Sequence, residues 1–146
     1  MNHDVFMRRA FDLAQQAKSK TWPNPMVGCV IVQDGEIIAE GWHAKAGLAH
    51  GELDAIQNAT RSVQGATLYV NLEPCCHSNK RTPPCAQRLI AEGISTVVIA
   101  NIDPNPEVSG KGIAVLREAG IKVITDVLAE QGELLNEVFF HNQRNK

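Results

Sequence analysis

The strongest constraint on the fold is a regular alternation of short apolar strands and helical patterns along the second half of the chain. The segments 67–72, 96–100 and 121–124 are rich in β-branched and aliphatic residues, and helical patterns separate them. Successive strand–helix–strand units require parallel strands with helices packed on the faces of the sheet. The pattern therefore predicts an α/β fold.

The first half of the chain adds a helix and a hairpin. Asp4 can cap a helix whose apolar residues recur with a helical period, and the segment 22–25, with two prolines, follows it. Residues 27–32 then form a predicted strand, Asp34-Gly35 a two-residue turn, and 36–42 the returning strand. Five strands are thus predicted between helices. The remaining helices are predicted near 49–59, 85–93, 111–119 and 128–140.

The composition is that of a single soluble domain with a sizeable core. The chain has 146 residues, of which 44% are hydrophobic and 21% are charged. The net charge of −2 argues against a basic surface for binding nucleic acid. A membrane-spanning helix needs about 18 consecutive apolar residues, and no stretch of the sequence approaches that length. There are four cysteines and no secretory signal, which predicts a reducing cytoplasm, where clustered Cys and His more often bind metal than form disulfides.

The clearest functional signal is a histidine, a glutamate and two cysteines in a fixed order: His50, Glu52, Cys75 and Cys85. His50 lies where a helix begins, Cys75 follows a strand directly, and Cys85 begins another helix. One imidazole and two thiolates can hold Zn²⁺ and leave a fourth position for water, whose pKa then falls to about 7. Glu52 would carry protons between that water and the substrate. This order is typical of zinc-dependent nucleobase deaminases.

The cysteines leave some alternatives open. Cys76 is a second candidate ligand, but we favour Cys75 because it follows Glu73-Pro74 at the strand end, and a loop accommodates an extra residue more easily. Cys29 alternates with apolar residues in a predicted strand and is interpreted as a core thiol. A purely structural zinc site or buried cysteines would be the non-catalytic interpretation.

Further motifs occur in one unbroken order along the chain. They are Asn24-Pro25-x-Val27-Gly28, Gly41-x-His43, His50-x-Glu52, Leu72-Glu73-Pro74-Cys75, His77, Arg81-Thr82-Pro83-Pro84-Cys85, Asp103-Pro104-Asn105-Pro106 and Leu135-Asn136. Together they resemble the deaminase domain of the bacterial riboflavin-biosynthesis deaminase/reductase, in the cytidine-deaminase-like superfamily. The resemblance implies a three-layer α/β/α sandwich with a five-stranded mixed sheet and one Zn²⁺ per chain. It also implies hydrolytic deamination of 2,5-diamino-6-ribosylamino-4(3H)-pyrimidinone 5′-phosphate.

A phosphorylated, hydroxyl-rich substrate needs amides, imidazoles and cations around it. The residues predicted to bind it are Asn24, His43, His77, Lys80, Arg81, Asp103 and Asn105. For Asn24 and His43 the contact is implied by the resemblance, whereas Lys80 and Arg81 can meet the phosphate. Asp103 and Asn105 follow a parallel strand, where ligands of α/β sheets bind. Each of these residues also has an alternative role. Asn24 would stabilise a turn, His43 would lie at the surface, and His77 would cap a helix. Lys80 and Arg81 would belong to a solvated charged loop, and Asp103 and Asn105 to a plain turn.

The chain departs from the family in three ways. No reductase domain follows, so residues 1–146 are predicted to be a single deaminase domain, either stand-alone or truncated, with a separate reductase possible. Gly51 replaces the usual alanine, and the loop from Cys75 to Cys85 is one residue longer than usual. That insertion leaves open whether Lys80 or Arg81 holds the phosphate. The resemblance further implies a homo-oligomer.

Two other function classes are weighed against this prediction. A deaminase that edits nucleobases in transfer RNA shares the metal motif, but it usually has a shorter spacing between its cysteines and a basic groove. The long loop and the acidic balance of this chain disfavour that class. A non-catalytic, zinc-stabilised interaction module is disfavoured because Glu52 would then have no role beside the metal.

Overall fold

A computed structural model of the protein describes residues 3–16, 27–42, 51–74, 85–102 and 109–136, with the backbone alone at 51–54 and 85. Within these ranges the chain forms five strands and five helices. The strands are β1 (Gly28–Gln33), β2 (Glu36–Trp42), β3 (Thr67–Leu72), β4 (Thr96–Asn101) and β5 (Lys122–Ile124). The helices are α1 (His3–Gln15), α2 (Gly51–Asn58), α3 (Cys85–Ala91), α4 (Lys111–Glu118) and α5 (Ala129–Leu135).

The strands form one mixed sheet in the spatial order β2-β1-β3-β4-β5. β1 pairs antiparallel with both β2 and β3, whereas β3, β4 and β5 pair in parallel. Four of the five strands therefore run in one direction, and β1 alone runs against them. This arrangement confirms the prediction of a five-stranded mixed sheet.

The hairpin between β1 and β2 forms at the predicted turn. Asp34 and Gly35 both adopt positive φ angles, 54° and 79°, which are the angles that a type I′ turn needs at its two central positions. Asparagine, aspartate and glycine tolerate this conformation best, so the local sequence selects the turn. Its twist matches that of the two flanking strands.

The helices lie on both faces of the sheet. Each of α2, α3 and α4 connects two parallel strands, and each connection moves toward β5 in the sheet. Such connections are right-handed, so all three helices lie on the same face. Their buried residues, among them Ala55, Leu89 and Leu116, share a core with alternate residues of the strands. α1 and α5 cover the other face, where a second core forms around Tyr69 and Val98. The predicted three-layer α/β/α sandwich is confirmed.

The first helix follows the predicted apolar period. Its buried residues are Met7, Ala10, Phe11, Leu13 and Ala14. α1 approaches β1 so closely that a Cβ on Gly28 would lie 2.0 Å from the carbonyl oxygen of Ala10, and only glycine fits there. The helix is thereby pressed against the start of β1.

Two polar contacts also attach α1 to the sheet. Arg9 donates to both carboxylate oxygens of Glu40, at 2.5 Å from Nε and 3.0 Å from Nη2. This hydrogen-bonded ion pair lowers the pKa of Glu40 and raises that of Arg9. Tyr69 shares a 2.6 Å hydrogen bond with Nδ1 of His3, and burial raises the pKa of the tyrosine.

The observed elements differ from the predicted ones mainly at their ends. β1 and β5 each begin one residue later than predicted, and α3 ends at Ala91, before Gly93 turns the chain with a φ of 79°. α5 ends at Leu135, and the rest of the predicted last helix lies outside the described residues. Cys29 is fully buried in the core, as predicted. No helix in the described ranges is long and apolar enough to cross a membrane.

Candidate active site

Most of the predicted site residues lie outside the described residues. These are Asn24, His43, His50, Cys75, His77, Lys80, Arg81, Asp103 and Asn105. Glu52 lies in the first turn of α2, and Cys85 is the first residue of α3; the backbone is described at both. The location of the site therefore follows from the strands and helices next to these residues.

The strands that lead into the candidate loops end at one edge of the sheet. β2, β3 and β4 run in the same direction, and Leu72 pairs with Asn101 in neighbouring strands. His43 follows β2 directly, Cys75 follows β3 by three residues, and Asp103 follows β4 by two. The topology thus gathers three of the predicted loops at the carboxyl-terminal edge, where α/β sheets bind ligands.

The loops before β1, α2 and α3 reach the same edge. Gly28, the first residue of β1, pairs with Trp42, the last residue of β2, so the segment carrying Asn24 enters there. α2 and α3 return the chain from this edge to the opposite one, and they contact each other on the same face of the sheet. His50 immediately precedes α2, and Cys85 begins α3. All candidate loops therefore leave or enter the sheet at one edge.

Glu73 is a buried acidic residue at this edge; the sequence places it in the motif before Cys75 but predicts no role for its side chain. Its side chain is 4% exposed and accepts hydrogen bonds from three backbone N–H groups of Gly110, Gly112 and Ile113, at 3.0, 2.9 and 3.3 Å. These groups belong to the start of α4, whose N-cap residue Gly110 makes no side-chain cap of its own. A carboxylate is favoured there because the N-terminal end of a helix carries partial positive charge.

The start of α4 also touches the backbone that leads to Cys75. A Cβ on Gly112 would lie 2.1 Å from the carbonyl oxygen of Pro74, so this close approach requires glycine. The N–H groups at the start of α4 are engaged by Glu73.

Two buried amides brace the same edge. Oδ1 of Asn71 accepts a 2.8 Å hydrogen bond from the N–H of Gly28, which joins the end of β3 to the start of β1. Nδ2 of Asn101 donates to the carbonyl of Ala129 at 2.9 Å and so holds the start of α5. Asn71, Glu73 and Asn101 are polar residues at or just after the ends of otherwise apolar strands. This position was the sequence signal that could have identified their bracing role.

The proposed donor set suits zinc by its chemistry. One imidazole and two thiolates form a borderline-soft set that favours Zn²⁺ over hard cations. Cys85 lies at a helix start, where the partial charge of the helix favours the thiolate form. Within the described ranges, no group of three or more His, Cys, Asp or Glu residues could hold a metal ion.

The fold and a match to a family model together define the class of protein. Residues 1–101 match the model of the cytidine and deoxycytidylate deaminase zinc-binding region, and the chain belongs to this zinc-binding deaminase family. The expected cytidine-deaminase-like fold and the family assignment are both confirmed.

Within that class, the chain is similar to a named pyrimidine deaminase and to riboflavin biosynthesis proteins. A diaminohydroxyphosphoribosylamino-pyrimidine deaminase from Buchnera aphidicola subsp. Acyrthosiphon pisum is 47% identical over 144 residues, covering 99% of this chain and 97% of that protein. The riboflavin biosynthesis protein RibD of Actinobacillus pleuropneumoniae is 50% identical over 141 residues, 97% of this chain. A solved structure of Acinetobacter baumannii RibD superimposes with a TM-score of 0.93 at 44% identity, over 97% of this chain. The resemblance found in the motifs is confirmed.

These relatives differ in length. The chain spans 37% of the Actinobacillus protein and 40% of the Acinetobacter chain, whereas it spans 97% of the Buchnera deaminase. The similarity to the two longer proteins therefore concerns less than half of their length.

Proposed function

We propose that the chain catalyses the zinc-dependent hydrolytic deamination of 2,5-diamino-6-ribosylamino-4(3H)-pyrimidinone 5′-phosphate in riboflavin biosynthesis. The observation that carries the proposal is that the strand ends next to the candidate segments lie at one edge of the sheet. The similarity to the Buchnera deaminase over nearly the full length of both chains supports the choice of substrate.

In this proposal His50, Cys75 and Cys85 hold one zinc ion per chain. When bound, zinc would lower the pKa of a coordinated water to about 7 and so provide a nucleophile at neutral pH. A cytoplasmic location would keep both cysteines reduced and available as thiolates. Cys76 is the alternative sulfur ligand.

Glu52 carries the protons of the reaction. It lies one turn or less from the start of α2 and two residues after His50. Its carboxylate takes a proton from the attacking water and delivers it to the ring nitrogen. The second proton then goes to the departing amine, which leaves as ammonia, while the ring carbon becomes a carbonyl. The atoms balance with one water consumed and one ammonia released.

The remaining candidate residues bind and orient the substrate. Asn24 and His43 lie on loops that join the sheet at the paired residues Gly28 and Trp42, so the two loops start side by side. We propose that they contact the pyrimidine. Lys80 and Arg81 would bind the phosphate, and Asp103 and Asn105 would bind the ribose or the phosphate. His77 would supply a further contact to the substrate.

A substrate panel tests this proposal. Purified, zinc-loaded protein is incubated with the phosphorylated pyrimidine, cytidine, guanine and a transfer-RNA anticodon stem, and the released ammonia is measured. Turnover of the phosphorylated pyrimidine above the others supports the proposal. Preferred turnover of the transfer RNA would favour an editing deaminase, and no turnover of any substrate would favour a zinc-stabilised interaction module.

We also propose that the chain self-associates and that its product passes to a reductase. A Thermotoga maritima relative, 46% identical to this chain, carries a name that joins the deaminase to 5-amino-6-(5-phosphoribosylamino)uracil reductase. In this chain the reductase would be either a separate protein or a further domain. Light scattering of the purified protein measures the oligomeric state, and a monomer would contradict the proposed self-association.

A further inference from the structure

We infer that Glu73 is a positioning residue that directs Cys75 toward the metal by tying the end of β3 to α4. The inference rests on the proposed function, because it takes Cys75 as a zinc ligand. Glu73 itself touches neither substrate nor metal in this proposal. It acts through Pro74 and the backbone.

The first step is that both oxygens of the Glu73 side chain bind the start of α4. One carboxylate oxygen accepts from the N–H of Gly110, and the other accepts from Gly112 and Ile113. Glu73 lies 37 to 40 positions before these residues in the chain, so the contacts join distant segments. Charge-assisted hydrogen bonds in a buried site are strong and directional, and they fix the side chain in one position.

The second step is that the Glu73 backbone is held from the opposite side. Its N–H donates to the carbonyl of Asn101 at 2.9 Å. Asn101 is in turn attached to the start of α5. Glu73 is thus held between two helices and the neighbouring strand, and its main chain has little freedom to rotate.

The third step connects this anchor to the ligand. Only Pro74 separates Glu73 from Cys75, and proline has a nearly fixed φ angle. The carbonyl of Pro74 also packs against Gly112, where not even a methyl group would fit. The direction in which the chain enters residue 75 is therefore set by the fit of β3 against α4. A metal ligand needs such support, because sites work only when their ligands are held to within about 0.5 Å.

Zinc retention in the holoenzyme tests this role separately from activity. Glu73→Gln keeps the size of the side chain, but an NH₂ group then faces N–H donors of α4. We expect zinc release to a chromophoric chelator to be at least about tenfold faster than in the wild type, within the range seen when groups supporting a ligand are lost. The cobalt-substituted protein should also show an altered thiolate-to-metal absorption band.

A matched control separates positioning from general stability. Leu116→Ala loosens the same helix from its fully buried face and leaves the Glu73 contacts intact. We expect a lower melting temperature but zinc release within about twofold of the wild type, as for independent sites. Glu73→Asp keeps the charge and both oxygens, so its zinc release should lie closer to the wild type than that of Glu73→Gln.

Several results would overturn the inference. One such result is a rate of zinc release from Glu73→Gln equal to that of the wild type. Another is a rate of zinc release that rises in proportion to the loss of melting temperature in both the Glu73 and the Leu116 variants. If Glu73→Gln does not fold, Gly112→Ala provides the second test, because its methyl group pushes directly on the Pro74 carbonyl. Wild-type zinc release from that variant contradicts the inference. A wild-type protein that binds no zinc contradicts the proposed function as well, so the two failures are distinguishable.

Discussion

The backbone N–H of Glu73 donates a 2.9 Å hydrogen bond to the carbonyl of Asn101, and this bond joins the ends of two neighbouring parallel strands. A loop with candidate metal and phosphate contacts begins just beyond Glu73. A loop with candidate ribose contacts begins just beyond Asn101. The side chains of the same two residues hold the starts of α4 and α5. The described ends from which the two segments continue are therefore joined to each other by a hydrogen bond.

The first prediction concerns Asn101. Asn101→Ala removes the hydrogen bond to the Ala129 carbonyl at the start of α5, which should lower the free energy of unfolding by about 0.5–1.5 kcal/mol. Chemical denaturation measures the change. Thr125→Ala, which removes an exposed hydrogen bond to Asp126, is the control and should change stability by less than about 0.5 kcal/mol. Equal effects of the two variants would contradict the role of Asn101.

The second prediction concerns the metal. Because His50, Cys75 and Cys85 supply three ligands, the purified protein should contain about one Zn²⁺ per chain, with a water at the fourth position. Cys75→Ala should lose most of this metal, whereas Cys76→Ala should keep it. Elemental analysis of the two variants decides between the adjacent cysteines, and the reverse pattern would make Cys76 the ligand.

The third prediction concerns proton transfer. Glu52→Gln keeps the size of the side chain but cannot carry protons, so turnover should fall by about 10²–10⁴-fold. The zinc content should stay that of the wild type, since Glu52 is not a ligand. Ammonia release and metal content are measured on the same samples. Near-normal turnover would remove Glu52 from the mechanism.

The fourth prediction concerns the phosphate. If Lys80 and Arg81 bind it, removing the phosphate from the substrate should cost about 1.5–3 kcal/mol, or about ten- to a hundredfold in kcat/KM. Arg81→Ala and Lys80→Ala should each reproduce part of this loss with the phosphorylated substrate. Neither should affect turnover of the dephosphorylated analogue. Equal kcat/KM values for the two substrates would show that the charged loop does not bind phosphate.

The fifth prediction follows from the ion pair between Arg9 and Glu40. The hydrogen bonds from Arg9 hold the pKa of Glu40 below its usual value, so the pair stabilises the fold above about pH 4.3, where an unfolded glutamate is ionised. This contribution is lost as the pH falls through the lower pKa of the folded state. The Arg9 side chain is 45% exposed and that of Glu40 29%, so Glu40→Gln should cost only about 0.2–1 kcal/mol at neutral pH.

Denaturation of both proteins over a range of pH checks this expectation. The stability difference between wild type and Glu40→Gln should shrink below about pH 4 and in high salt. A difference that is constant with pH would mean that the variant acts through packing and not through charge.

Local patterns in the sequence were sufficient for the elements of the fold. β2 and β3 have the predicted bounds, Asp34-Gly35 forms the predicted turn, and α3 begins at Cys85 as predicted. These features depend on neighbouring residues, through hydrophobic periodicity and the φ angles that a turn requires. The types of the candidate ligands could likewise be read from the sequence, because zinc selects its donor atoms by their chemistry.

Only the tertiary structure decided how these elements are braced at the candidate site. Glu73 binds the start of α4, Asn71 binds Gly28, and Gly112 packs against Pro74, and each contact joins segments at least 37 positions apart. Periodicity carries no information about such pairs, because it reports only which face of an element is apolar. Whether a buried polar residue is satisfied depends on which distant backbone group the folded chain brings to it.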